Sequence, residues 1–317
     1  MPNTRLGHAA AVLCIAALAA CQSLPKAVAP EPSPSKPAAA PAARELAGAR
    51  YQGIEEAGRP VTLQDGRWEG QPFQEGGASR PAVTLARDFR LTGDLDGDGR
   101  EEAAVLLAGN AGGSGEMVYL AIVGRRGPEL RNIATAALGD RVQVRAGRIE
   151  RRRVWLDVVQ AGKDDALCCP GDLVSRSWEL VNGRLKEGEP ALTGRLAPAA
   201  LSGSQWVLRA WAWDEPAAAE PEVTLRFEGA RTGGNAGCNN YSTTLAPGDM
   251  PGDVKPGPVI ATRRMCPEPE MGVEDRFLRQ LEAVRQMRFI GGRLALVYDL
   301  PGASGVMLFE QRPAPEP

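Results

Sequence analysis

Between positions 46 and 195 the apolar residues come in runs too short for ordinary helices, and turn-forming residues interrupt them at close intervals. Residues 102–107, 117–123, 154–159 and 175–181 are rich in side chains that suit a pleated surface, and Gly, Asp or Pro lies between them. Asn182 and Gly183 separate Trp178–Val181 from Arg184–Leu185, and both tolerate positive φ, so this pair predicts a tight hairpin. The second region, 199–313, adds one helix. Phe277, Leu278, Leu281, Val284 and Met287 fall on one side of a helical cylinder, with Glu274 and Asp275 toward its amino end. Strand patterns follow at 293–298, introduced by Gly291 and Gly292, and at 306–309. No period of about 20 to 50 residues marks a solenoid or propeller. The expected fold class is mainly β, or α+β, built as two small β-rich domains over 46–195 and 199–313, the second with one packed helix.

Charge and histidine usage remove several functions. With 37 Lys+Arg against 39 Asp+Glu the chain is near neutral, and no compact basic stripe is present to neutralise nucleic-acid phosphates. The run Arg151, Arg152, Arg153 reads as a solvated strand edge. The one histidine, His8, lies in a segment expected to be cleaved. A mature chain without imidazole has no Ser-His-Asp or Cys-His chemistry, and no His-ligated zinc or haem.

Residues 1–20 have the order of an export signal, with Arg5 first, an apolar stretch at 9–18 and small residues after it. About ten apolar residues do not span a hydrocarbon core that needs roughly 20. Leu18, Ala19, Ala20 and Cys21 resemble the bacterial lipobox, which implies that Cys21 is diacylated and becomes the new amino terminus, a membrane anchor of several acyl chains. Gln22 in place of aspartate implies, on the same resemblance, an outer-membrane location facing the periplasm. The segment 21–45 carries Pro25, Pro30, Pro32, Pro34, Pro37 and Pro41 among alanines, and reads as a semi-rigid tether on the order of 70 Å long.

The carboxyl-terminal region resembles the META domain family, the HslJ-like heat-shock proteins. The resemblance rests on Leu201 to Trp206 with Val207 and Leu208, on GGNAGCNNY at 233–241, on TRRMC at 262–266, on the helix around Glu274 and Phe277, and on the closing pattern at 294–309. It implies a compact fold of strands with a packed helix, a cell-envelope setting, an association with stress tolerance and no established catalytic activity. The stretch 243–258, with Pro247, Pro251, Pro256 and Pro258, departs from the simpler strand and turn of the family. Read physically, Gly233, Gly234 and Gly237 point to a sharp turn or close backbone approach near Cys238. They do not form a phosphate loop, because no Lys-Ser/Thr pair follows.

Six cysteines become four once Cys14 leaves with the signal and Cys21 takes lipid. In an exported chain these four are expected to be oxidised, and three pairings are open. Cys238 with Cys266 is the preferred bridge, since both lie in one domain and a loop of about 29 residues is worth roughly 3.5 kcal/mol. Cys168 and Cys169 are neighbours before Pro170, and could join each other, pair elsewhere or stay reduced. The four thiols lack the CxxC spacing of a zinc site.

The sharpest chemical signal is DLDGDGREE at 94–102. Alternate positions bring the carboxylates of Asp94, Asp96 and Asp98 around one point, Gly99 permits the turn, Arg100 can offer a carbonyl and Glu102 stands ninth. Hard oxygen donors at this spacing suit calcium. The EF-hand version fails, because the twelfth position is Val105 and a strand follows where a helix should. The loop resembles single calcium loops of integrin-type β-propeller repeats; an Asp/Gly-rich turn that needs no ion fits the same residues.

The resulting expectation is a non-catalytic envelope lipoprotein that binds an envelope protein or cell-wall partner. The alternatives are a calcium- or glycan-binding module, with Trp211 and Trp213 on one strand face beside Trp206, and a carboxylate-dependent wall hydrolase drawing on Asp94, Asp96, Asp98, Asp164 and Asp165.

Overall fold

The strand content follows from how the apolar residues are used. The computed structural model describes residues 39–166 and 168–313, so the expected signal, Cys21 and most of the tether lie outside the described residues. The end of the expected tether is folded: helix α1 (Ala43–Ala47) buries Leu46, and Arg90 donates 2.8 Å to the Pro41 carbonyl. The described residues cluster as one compact unit.

The first strand set holds two five-stranded antiparallel sheets, besides a short two-stranded pairing of Arg50–Tyr51 with Val61–Thr62. Strands β1 (Arg67–Glu69), β2 (Ala82–Gly93), β3 (Glu102–Asn110), β4 (Met117–Arg126) and β5 (Glu129–Asp140) lie in chain order in one sheet. In the other, β6 (Gln143–Glu150), β7 (Arg153–Gln160) and β8 (Asp172–Val181) lie side by side. The far edge of β8 is shared by β9 (Arg184–Glu187) and β10 (Ala191–Arg195). Successive side chains of a strand point to opposite faces. Accordingly Ala104 and Leu106 of β3 meet Val144, Leu156, Val158 and Trp178 of the second sheet, whereas Ala103, Val105 and Leu107 meet Leu46, Tyr51, Ile54, Val61 and Leu63. The segment 43–63 thus covers the outer face, and a sheet buried on both faces needs near-continuous apolar strands, which is what 102–107 and 117–123 display. Asn182 and Gly183 take φ of 50° and 75° and close the expected hairpin between β8 and β9.

The second strand set is one sheet of β11 (Gln205–Ala212), β12 (Thr224–Glu228), β13 (Arg231–Asn235), β14 (Asn240–Pro247), β15 (Val254–Pro256), β16 (Val284–Ile290), β17 (Arg293–Leu300) and β18 (Ala303–Gln311), with two short additions at its flanks. Its order is β15-β14-β13-β12-β11-β18-β17-β16. The two ends approach, since Asp253 bridges Gln286 and the Met287 amide donates 2.7 Å to the Gly252 carbonyl, leaving a nearly closed barrel. Helix α2 (Glu270–Glu282) packs into it. Its Phe277 ring stands edge-on to Tyr241 at 5.2 Å and to Phe309 at 6.5 Å.

One expectation needs correction here. Val284 and Met287 do not continue the helix. The chain leaves α2 at Ala283, and 284–290 pairs with β17 as strand β16, burying Val284, Met287 and Phe289. Spacings of three and four place a residue on a helix face, but a bulged strand reaches the same positions, and the free edge of β17 supplies the hydrogen bonds. Glu274 likewise lies in the second turn of α2 and is buried, not at the amino end.

The two strand sets meet along β6 and β16. Phe289 N donates to Gln143 Oε1 at 2.8 Å, Gly292 N to the Val144 carbonyl at 3.0 Å, and the Arg145 guanidinium stands 5.2 Å from the Phe289 ring centre. Val159, Leu173 and Leu196 of the first set enter the core of the second. No helix of the described residues is long and apolar enough to cross a membrane.

Candidate functional site

The 94–102 loop joins β2 to β3, with Gly93 directly opposite Glu102 in the ladder. Its aspartates first build the turn. Asp94 accepts from the amides of Gly97 and Gly99 at 2.5 and 3.2 Å, Asp96 from Asp98 at 3.1 Å, and Asp98 from Arg100 at 2.8 Å. Gly97 and Gly99 take φ of 82° and 81°, the left-handed region that disfavours other residues.

Glu102 differs from these acids. It is 0% exposed; its Oε2 accepts the Leu95 amide at 2.9 Å, and its Oε1 is buried without a hydrogen-bond donor. Burial pushes the Glu102 carboxyl above the ordinary glutamate range, with Asp96 and Asp98 adding to it, while the Leu95 amide and Arg126 pull the other way. Across the sheet Gly124 leaves room for this side chain, since a Cβ there would stand 3.0 Å from Oε1. Asp94, Asp96 and Glu102 each offer one oxygen within 4.8 Å of the others. Asp98, 3.8 Å from Arg126, is not one of the three, and Arg100, expected to offer its carbonyl, is an exposed residue of the same turn. The sequence reading missed Arg126, whose guanidinium lies 2.5 Å from Asp96 Oδ2 and 3.8 Å from Glu102 Oε1. No local motif could reveal it, because the register of β3 against β4 brings it there.

Of the other carboxylates of the hydrolase reading, Asp165 has structural work. Asp165 accepts the amides of Gly162 and Gly171 at 2.7 and 2.9 Å and pairs with Arg195 at 2.5 Å. That guanidinium holds the Asp165 carboxyl below the usual range, the wrong direction for a general acid. Asp164 is exposed. The shared tryptophan face is also corrected. Trp206 and Trp211 are buried, and Trp213 falls beyond the end of β11 and is 61% exposed. Trp211 is capped by Arg276, 4.4 Å from its ring centre.

Cys168 and Cys169 are bonded to each other, and Cys238 to Cys266, so the four described cysteines carry no free thiol. The neighbouring pair lies beside a cleft of about 450 Å³ with Trp213, Pro251, Arg288 and Phe289 on its walls.

Around Cys238 the glycine-rich stretch and the TRRMC stretch are knitted to α2. Asn239 is the hub: its amide donates to Glu274 Oε2 at 2.6 Å and its Nδ2 to Glu274 Oε1 at 3.1 Å and the Arg264 carbonyl at 2.9 Å. Its Oδ1 accepts from Thr262 Oγ1 and the Arg264 amide, both at 2.8 Å. Close approach explains the glycines, since a Cβ on Gly234 would stand 2.2 Å from the Thr224 carbonyl oxygen, and Gly237 takes φ of 116°. Buried polar groups satisfied in this way fix one arrangement of loop and helix.

The second strand set is therefore a disulfide-tied, nearly closed antiparallel sheet with one inserted helix. Residues 199–313 match the family model described as META domain, and the C-terminal region is a META domain. The chain is also similar to a protein from Burkholderia xenovorans solved by NMR, at 25% identity over 39% of this chain and 94% of that one, with a TM-score of 0.30. No curated protein matches the chain significantly.

Proposed function

We propose that this is a non-catalytic protein of the bacterial cell envelope, anchored by lipid at Cys21 and acting by binding an envelope protein or the cell wall, in support of envelope integrity under stress. The observation that carries the reading is the use of the META motif residues. Asn239, Thr262, Arg264 and Glu274 spend their polar groups on one another, and Cys238 and Cys266 on a disulfide. Such residues hold a surface in shape and leave no activated nucleophile among themselves. Two disulfides suit an oxidising compartment outside the cytosol, in keeping with the lipobox-like sequence ending at Cys21. On this reading the Pro/Ala-rich segment after Cys21 links the anchor to the folded unit.

Covalent crosslinking in intact cells followed by mass spectrometry tests the binding role. Recovery of a defined envelope protein or of peptidoglycan fragments is the expected result. Recovery of lipid alone, or of nothing above an unrelated anchored control, contradicts it.

A further inference from the structure

We propose that the 94–102 loop is a calcium site held by Asp94, Asp96 and Glu102, with the Arg126 guanidinium as the cation that the ion displaces. This proposal stands apart from the envelope reading. An acidic turn alone would not justify it, and the aspartates here have turn-building roles that need no ion. Glu102 supplies the independent reason. It is wholly buried, one of its oxygens has no hydrogen-bond donor, and that oxygen faces the same guanidinium as Asp96 and Asp98. A buried carboxylate oxygen left without a donor is costly, and such groups in native proteins are commonly satisfied by an ion or by water.

Geometry and charge agree. Oxygens bound to one calcium ion at about 2.3–2.6 Å cannot be more than roughly 5 Å apart, and the three side chains offer oxygens within 4.8 Å of one another. Four carboxylates, of Asp94, Asp96, Asp98 and Glu102, gather in this loop; the Arg126 guanidinium faces the last three, and that of Arg152 lies over Gly97. The cluster keeps an excess of negative charge for a divalent ion to balance. Arg126 reaches Glu102 Oε1 only at 3.8 Å, too long for a hydrogen bond, and its side chain is 36% exposed, so it has a route to solvent when an ion takes its place. Gly124 of β4, lacking a Cβ, makes room for the Glu102 side chain.

The test is calorimetric titration of the purified full-length chain in detergent with calcium chloride, on wild type, Asp96→Asn, Glu102→Gln and Arg126→Met. Wild type is expected to bind one ion in the range of extracellular calcium modules, about 0.1–1 mM. Asp96→Asn and Glu102→Gln should weaken binding at least tenfold. Arg126→Met, which removes the competing cation, should tighten it at least tenfold. Circular dichroism of each variant separates lost binding from lost folding, and the near-isosteric Glu102→Gln keeps the result readable if another variant unfolds. Absence of calcium heat up to about 10 mM in both wild type and Arg126→Met overturns the proposal. So does binding that Glu102→Gln leaves unchanged or that Arg126→Met does not tighten.

Discussion

Phe277→Ala is expected to destabilise the folded unit by about 3–5 kcal/mol, the usual cost of emptying a buried phenylalanine site. Phe277 is 0% exposed and is the contact through which α2 enters the nearly closed sheet, against Tyr241 of β14 and Phe309 of β18. Those two strands lie on opposite sides of β11 in the sheet order, so the cavity would open where the sheet curls and where collapse of the surroundings is least able to fill it. For a unit of this size the loss corresponds to a melting midpoint on the order of 10 °C lower. Leu278→Ala, one residue along and only partly buried, should cost much less. Equal losses at the two positions in urea or thermal melts would mean that α2 is not anchored through Phe277.

The second large effect belongs to one disulfide and not the other. Cys238 and Cys266 are 28 residues apart, and closing a loop of that length restricts the unfolded chain by roughly 3.5 kcal/mol. The paired replacement Cys238→Ser with Cys266→Ser should lose about that much, and should also loosen the Asn239 hub, because Arg264 Nη2 donates to the Cys238 carbonyl at 2.9 Å. Cys168 and Cys169 are adjacent and close no loop. On the same entropic argument, Cys168→Ser with Cys169→Ser should move the midpoint little. Chemical unfolding of both double variants and of wild type, with and without reductant, checks the contrast. A loss on reduction that persists in the Cys238/Cys266 variant would place the stabilising bridge elsewhere.

These effects also show which features the sequence made legible. Strands β3 and β4 stood out because both faces are buried, so their apolar residues run on without polar breaks. Strand β2 was harder to see: its pairing with β3 is interrupted between Leu85 and Arg90, and the polar pair Arg87 and Asp88 falls within that irregularity. Strand β6 is half polar, with Arg145, Arg148 and Glu150 breaking its pattern, and becomes a strand through its ladder with β7. In β16 the positions of Val284 and Met287 satisfied a helical spacing, and only the edge of β17 decided the matter. At the acidic loop the carboxylates of Asp94, Asp96 and Glu102 lie within nine residues of sequence, so they were legible as a candidate group. Arg126 and Gly124 come from another strand, so their part depends on register. The Asn239–Glu274 pair spans 35 residues and depends on where α2 docks, which periodicity does not encode.

The most direct measurement for the account as a whole is the intact mass of the native protein extracted from membranes. The account predicts a chain that starts at residue 21, is heavier than its amino acids by its acyl chains, and has Cys168, Cys169, Cys238 and Cys266 unreactive to alkylation until reduced. A chain that still starts at Met1 with a free thiol at Cys21 would contradict it.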